Sequence, residues 1–315
     1  MRRIPAPLLS LTAVVSWGAM FPIAAHALPH VDAFNLTAIR YGLASLAFVA
    51  LLVVAEGRGA LRYDGRFGEL FVLGSFGFAG FNLFTYLGLE HTRPQNAALI
   101  VATTPLITAL VRWRRDGARP ARATLAFMGL ALAGVVLVIT HGAPGSLVDG
   151  GIGGGEALVL LGVIGWVLYT TGVARFPAHS PLRYTTLSAV AGTLTILAVT
   201  AVADVAGLQH LPGSSDLRAA AAPLAFIVVF GAVVAVIAYN AGVRRLGAAN
   251  GALFMNLVPV TTFVIAIAGG TRPGAAELAG ALLTIAALVG ANLATRRAAS
   301  TTTAAARERP VPALP

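Results

Sequence analysis

Residues 85–108 read TYLGLEHTRPQNAALIVATTPLIT, and residues 239–262 read YNAGVRRLGAANGALFMNLVPVTT. Set against each other at an offset of 154 with no gap, they pair Gly88 with Gly242, Asn96 with Asn250, Ala98 with Ala252 and Leu99 with Leu253. Pro105 pairs with Pro259 and Thr108 with Thr262. This is a duplicated pair of apolar helices. The duplication continues, since Gly129 and Gly280 each sit in a small-residue helix that follows a short loop.

Outward from this pair the chain is apolar almost throughout. Of its 315 residues, 57% are hydrophobic and 11% charged, far from a soluble domain in which roughly a quarter are charged. A helix needs about 20 mostly apolar residues to cross a bilayer. Ten such runs occur, near 7–28, 33–55, 68–89, 95–112, 123–141, 156–174, 182–203, 223–242, 249–268 and 276–295. The first follows Met1-Arg2-Arg3 and contains Ala25-His26-Ala27. That imitates a cleavable signal, but the run is long for one and no soluble domain follows, so it reads as a retained span. The sequence thus predicts an all-α integral membrane protein of ten transmembrane helices. It divides into five-helix repeats over 1–145 and 146–297, with a disordered cytoplasmic tail from 298 to 315 that is too poor in apolar residues to pack.

The net charge of +10 comes entirely from arginine, 22 residues against 12 carboxylates, with no lysine. A nucleic-acid partner would need these gathered on one solvated face. Instead they sit between apolar runs. Short basic loops stay in the cytoplasm, and with both termini there the inner segments hold 18 of the 22 arginines. The outer loops hold only Arg93, Arg218 and Arg272, and Arg40 lies inside a span. The repeat agrees with this sorting. The loop with Arg112, Arg114, Arg115, Arg119 and Arg122 matches a second-half loop carrying only Arg272, whereas Glu90-His91-Thr92-Arg93 matches Arg244-Arg245-Leu246-Gly247. Five spans per copy invert the second relative to the first, an arrangement suited to alternating access.

Ser16-Trp17-Gly18 with Phe21-Pro22, Ile39-Arg40, and the string NGALFMNLVPVTTFVIAI at 250–267 followed by Gly280 resemble the EamA family of the drug/metabolite transporter superfamily. The resemblance runs over about residues 8–297. It implies a ten-helix inverted-repeat exporter in the cell inner membrane, working on small metabolites, often amino acids or their derivatives, with a central cavity lined by both halves. The family often has Arg at position 40. It also carries a Gly-Glu pair after its fourth and ninth helices, where this chain has Arg112-Trp113-Arg114-Arg115 and Gly269-Gly270-Thr271-Arg272. No role of that glutamate carries over.

Polar groups at membrane depth are costly and usually face a bundle interior or a wet cavity. The candidates for substrate binding are Trp17, Arg40, Asn82, Tyr86, Asn96, Thr103, Trp166, Tyr169, Tyr239, Asn240, Asn250 and Asn256. Asn82 and Tyr86 are four apart and share a helix face. Interhelical hydrogen bonding is the competing role for each amide and hydroxyl, and N-capping competes at Asn96 and Asn250. Trp17 and Trp166 sit too deep in their spans for an interfacial belt. Arg40, roughly 10 Å from the outer end at 1.5 Å per residue, has three readings: contact with a substrate carboxylate, snorkelling to the interface, or pairing with Asp32 or Glu90.

All 12 carboxylates fall in loops or at helix ends, which leaves His26 as the one candidate for proton coupling. A membrane-embedded enzyme would need acid, base or metal groups clustered at depth, and an uncoupled channel-like facilitator is disfavoured by the repeat. Without lysine or cysteine there is no nucleotide loop, thiolate metal site or disulfide. The glycines at 150, 151 and 153–155 read as a flexible connection. No cofactor or metal is expected. The expected partners are a small-molecule substrate and the lipid bilayer, with no nucleic acid. The Gly74, Gly77 and Gly80 strip suits an internal helix contact more than a homodimer face.

Overall fold

The computed structural model describes residues 4–117, 119–143, 153–209, 211–246 and 254–307. Among these every regular element is helical. Eight helices are long and apolar enough to cross a membrane: α1 Ala6–Ala27, α2 Ala33–Glu56, α3 Phe67–Leu89, α4 Pro94–Arg115, α5 Arg122–Ile139, α6 Gly154–Arg175, α7 Pro181–Val205 and α8 Ala221–Tyr239. Two more follow, α9 Leu257–Ala268 and α10 Ala275–Arg307, whose apolar portions are shorter. The expected start of the ninth span at 249 lies outside the described residues, which omit 247–253; Phe254 and Met255 are helical ahead of α9. Of the tail expected to be disordered, residues 298–307 continue α10 as helix, and 308–315 lie outside the described residues. The Ala-rich run after 298 contains no helix breaker before Pro310.

Local chemistry explains where the helices start and stop. Asp32 caps α2, its Oδ1 accepting from the backbone N–H of Phe34 at 2.9 Å and of Asn35 at 3.0 Å. Ser180 caps α7 in the same way through the Arg183 N–H at 2.9 Å, with Pro181 at the first helical position. Gly117, at φ 68°, ends α4 in the left-handed conformation. Two features recur within a few residues of the offset of the sequence duplication. The helix is interrupted at Thr103, two residues before Pro105, and again at Asn256, three before Pro259; a proline lacks the N–H that would continue the ladder. A π-helical turn interrupts α3 at Ser75–Gly80 and α8 at Ile227–Val234, and Phe76-Gly77 falls on Phe230-Gly231 at an offset of 154.

The packing is reciprocal. α1 lies on α8 and α9, while α6 lies on α3 and α4; α2 meets α7 and α8, while α7 meets α2 and α3. α4 meets α9, and α5 runs along α10. In lipid no hydrophobic force drives helices together, so close van der Waals approach at small residues does. A Cβ on Gly74 would lie 2.0 Å from the Ser188 carbonyl of α7, and one on Gly192 would lie 2.4 Å from the Gly74 carbonyl. Gly134 of α5 and Gly280 of α10 approach each other's carbonyl to 2.7 Å in the same sense. Gly77 makes room for the Tyr169 ring, so Gly74 and Gly77 both serve internal contacts.

At one end of the bundle, Arg183 of α7 reaches back to the α2–α3 connection, donating to Asp64 at 2.7 Å, to the Ala60 carbonyl at 2.9 Å and to the Arg62 carbonyl at 2.7 Å. At the other end Glu277, at the start of α10, accepts from Arg93 at 2.8 Å and lies 2.9 Å from His141 Nδ1.

Gly74→Ala should lower thermal stability in detergent, by about 1–3 kcal/mol if the helices repack around the added methyl. Gly42→Ala, where a Cβ meets nothing within 4 Å, should leave the melting temperature unchanged; equal losses in both would remove the glycine contact as the cause. Burial, followed by Arg183 and Arg66, holds His179 below its usual 6.5. The unfolded chain therefore takes up that proton first, and stability should fall as pH drops below about 6.5. Melting curves at pH 7.5 and 5.5 should show that loss reduced in His179→Gln.

Candidate functional site

Three helices converge on one side chain, and a fourth joins through a shared carbonyl. Arg40 of α2 is only 3% exposed. Its Nη1 donates to Asn82 Oδ1 and to the Tyr86 hydroxyl, each at 2.7 Å. Both acceptors sit on α3, four residues apart and so on one face. Nη2 reaches the Gly231 carbonyl of α8 at 3.5 Å, and Nε has no partner. The guanidinium carbon lies 5.0 Å from the centre of the Tyr41 ring, a cation–π distance. Asn82 is fixed in turn, its Nδ2 donating to the Tyr41 hydroxyl at 3.1 Å and to the Phe78 carbonyl at 2.9 Å. From α1, Trp17 donates its indole N–H to the same Gly231 carbonyl at 3.0 Å, and its ring packs 5.2 Å from Tyr239.

Two of the three readings of Arg40 are thereby settled. It does not snorkel, because it is enclosed. It does not pair with Asp32, which is occupied in capping α2 and in accepting from Asn35 Nδ2 at 2.9 Å. Among the described residues no carboxylate reaches Arg40, Glu90 included. Glu90 stands outside the apolar span, and partial burial raises its carboxyl above the usual range.

The other candidates fall in separate places. Trp166 and Tyr169 join an aromatic cluster, with Trp166 against Phe81 at 5.4 Å and Tyr169 between Phe78 at 4.9 Å and Tyr184 at 5.2 Å. Tyr41 links that cluster to Arg40 through Phe78, at 5.3 Å. Asn96 is buried beside α6, 3.3 Å from both Glu156 Oε1 and Thr92 Oγ1. It contacts other helices and stands apart from the arginine. Thr103 turns its hydroxyl back to the Ile100 carbonyl at 2.6 Å, as expected where a helix is interrupted. Asn256 is buried with its Nδ2 unpartnered. Asn240 lies in the helix Ala235–Leu246, and Asn250 lies outside the described residues. His26 is exposed in the last turn of α1 and belongs to none of these networks.

Sequence reasoning missed two groups. Glu156 is only 8% exposed and accepts the Thr92 hydroxyl; its place in the first turn of α6 gave no sign of burial. The Gly231 carbonyl is a backbone group, and only the repeated Phe-Gly pair marked its position. Among the described residues no three His, Asp or Glu come together as metal ligands would.

An all-helical chain with eight spans of membrane-crossing length and a polar centre is a multi-pass membrane protein. The model of the EamA-like transporter family matches it over residues 4–140 and again over 153–293, and the chain belongs to that family. It is 31% identical over 294 residues to the uncharacterized transporter YrdR of Bacillus subtilis (strain 168), covering 92% of each chain. It is 30% identical to the uncharacterized transporter YyaM of the same organism, covering 85% of this chain and 87% of that one. A protein of Streptantibioticus cattleyicolor named "Probable terminal-alkyne amino-acid exporter" is 26% identical, with coverage of 91% and 94%. A solved crystal structure shares the fold with a TM-score of 0.64 at 23% identity, covering 93% of this chain and 98% of that one. These relationships place the protein among transporters of the drug/metabolite type.

Asn82→Ala and Tyr86→Phe each remove one acceptor from a buried guanidinium. Each should cost on the order of 1–3 kcal/mol, read as a lower melting temperature in detergent. No change in either would mean that Arg40 reaches water.

Proposed function

We propose that the protein is a secondary transporter that exports a small metabolite, an amino-acid-like compound or a drug across the cytoplasmic membrane by alternating access. In this reading the ten helices form two inverted five-helix repeats with the substrate site between them. Both termini are cytoplasmic.

The observation that carries the reading is the reciprocity of the packing. Exchanging α1–α5 with α6–α10 turns α1 on α8 into α6 on α3, α1 on α9 into α6 on α4, and α2 on α8 into α7 on α3; α2 with α7, α4 with α9 and α5 with α10 map onto themselves. A pseudo-two-fold axis would relate contacts in this way. The double match of the family model, the paired helix breaks and the paired π turns support the same division. Trp17, Trp166 and Phe81 are only half-buried although they lie near the middle of their helices, as aromatic side chains lining a ligand site would be. The distribution of arginine supports the orientation. The amino-acid export assigned by name to the relative from Streptantibioticus cattleyicolor makes amino acids the first compounds to test.

Counterflow of labelled amino acids and cationic drugs into proteoliposomes should find a transported compound. Its rate should fall at least tenfold in a protein combining Trp17→Ala, Asn82→Ala and Trp166→Ala that still elutes as a folded species; unchanged transport would remove the site from this centre. The chain has no cysteine, so single-cysteine variants report topology cleanly. Ser300→Cys should be shielded, and Thr271→Cys labelled, by an impermeant maleimide on intact cells. The reverse pattern would invert the orientation.

A further inference from the structure

Arg40 has five N–H donors in a planar fork, and their use is uneven. Nη1 spends both of its hydrogens on Asn82 and Tyr86 at 2.7 Å. The opposite edge, made of Nε and Nη2, holds only the 3.5 Å approach to the Gly231 carbonyl, and Nε has nothing. That edge is one of the two sides by which a guanidinium takes a carboxylate through parallel hydrogen bonds. The groups that hold Arg40 are all neutral: an amide, two phenols and a backbone carbonyl. A buried cation usually has an anionic partner, since an uncompensated one is costly. Here the chain supplies none among its described residues.

We propose that the Nε–Nη2 edge of Arg40 receives a carboxylate of the transported compound, so that the substrate class is small carboxylates, zwitterionic amino-acid-like molecules included. This rests on the transporter reading above. Asn82 and Tyr86 act as positioning residues. By saturating Nη1 from one face of α3 they turn the fork so that its free edge points toward α8. An incoming carboxylate replaces the long contact to Gly231 and leaves that carbonyl to Trp17 alone, which ties occupancy of the site to the contact between α1 and α8. Trp17, which donates to the same Gly231 carbonyl, stands beside the position and suits an apolar side chain next to the carboxylate.

The test uses the purified full-length protein and one matched series: L-leucine, 4-methylpentanoate, L-leucinamide and 3-methylbutylamine. Binding is read by thermal shift and calorimetry, and transport by counterflow in proteoliposomes. The two carboxylates should bind the wild-type protein at least tenfold more tightly than the amide and the amine. Arg40→Lys, which keeps the charge but not the fork, should lose that preference, binding the carboxylates and the amide within about twofold of each other whatever its overall affinity. The wild-type series needs no variant, so the test survives if Arg40→Lys does not fold. Equal binding of the amide or amine overturns the carboxylate assignment. So does transport of neutral or cationic compounds with no carboxylate carried, although the transporter reading then stands. Absence of counterflow for every compound, amino acids and drugs included, overturns both.

Discussion

A guanidinium enclosed at membrane depth must find its hydrogen-bond partners on the helices around it, because water is excluded and lipid offers none. Arg40 meets that requirement at Nη1 with neutral groups from α3, while Nε has no partner and the Gly231 carbonyl of α8 that Nη2 approaches is also the acceptor for Trp17 of α1. One cation thereby relates the positions of α2, α3 and α8, and the shared carbonyl adds α1. The rest of the centre follows from it. Asn82 must face α2, so Phe78, one turn earlier on α3, lies against Tyr41 and opens the aromatic cluster that continues through Tyr169 and Tyr184.

Around that centre the helices are held by shape. Gly74 against Gly192 and Gly134 against Gly280 bring backbones so close that a methyl group has no room, and the hydroxyls of Ser75 and Thr195, 2.6 Å apart, bridge the first of these surfaces. These contacts are individually small. They are also short-ranged, so they favour one arrangement of the helices or another with little between. The ends are tied differently, by ion pairs of Arg183 with Asp64 at one and of Arg93 with Glu277 at the other. The Arg183–Asp64 pair is open to water at its carboxylate and contributes little to stability, whereas Glu277 is buried and depends on its partners.

Much of the fold was legible because the bilayer imposes a length and a polarity that a sequence cannot disguise. The first eight spans lie within a few residues of their expected places, and Arg40 stood out as the lone charge among apolar neighbours. The centre was legible only in part. The four-residue spacing of Asn82 and Tyr86 put them on one face, but no pattern shows that this face meets α2. Asn96 has the same residue type and a similar setting, yet its partner is Glu156 on α6; helix rotation, which tertiary packing sets, decides between the two outcomes. The helix at 298–307 was missed for the opposite reason, since low apolar content argues against packing and says nothing against an isolated Ala-rich helix.

The π turn in α3 has a consequence for the phase of everything after it. A π-helical turn takes in one residue more than the regular spiral would, and each residue advances an α-helix by about 100°. Counted from Phe67, the face that carries Asn82 and Tyr86 is therefore displaced by more than a quarter turn from where an unbroken helix would put it. The residues that grip Arg40 owe their direction to a winding defect between Ser75 and Gly80. Its counterpart at Ile227–Val234 in α8 contains Gly231 itself, so both helices that face the arginine on either side change phase within or just before the segment that touches it. Were such a turn to tighten to regular helix or to shift along its axis, the two ends of that helix would rotate against each other by that same angle, with no hinge in the chain and little change in its length.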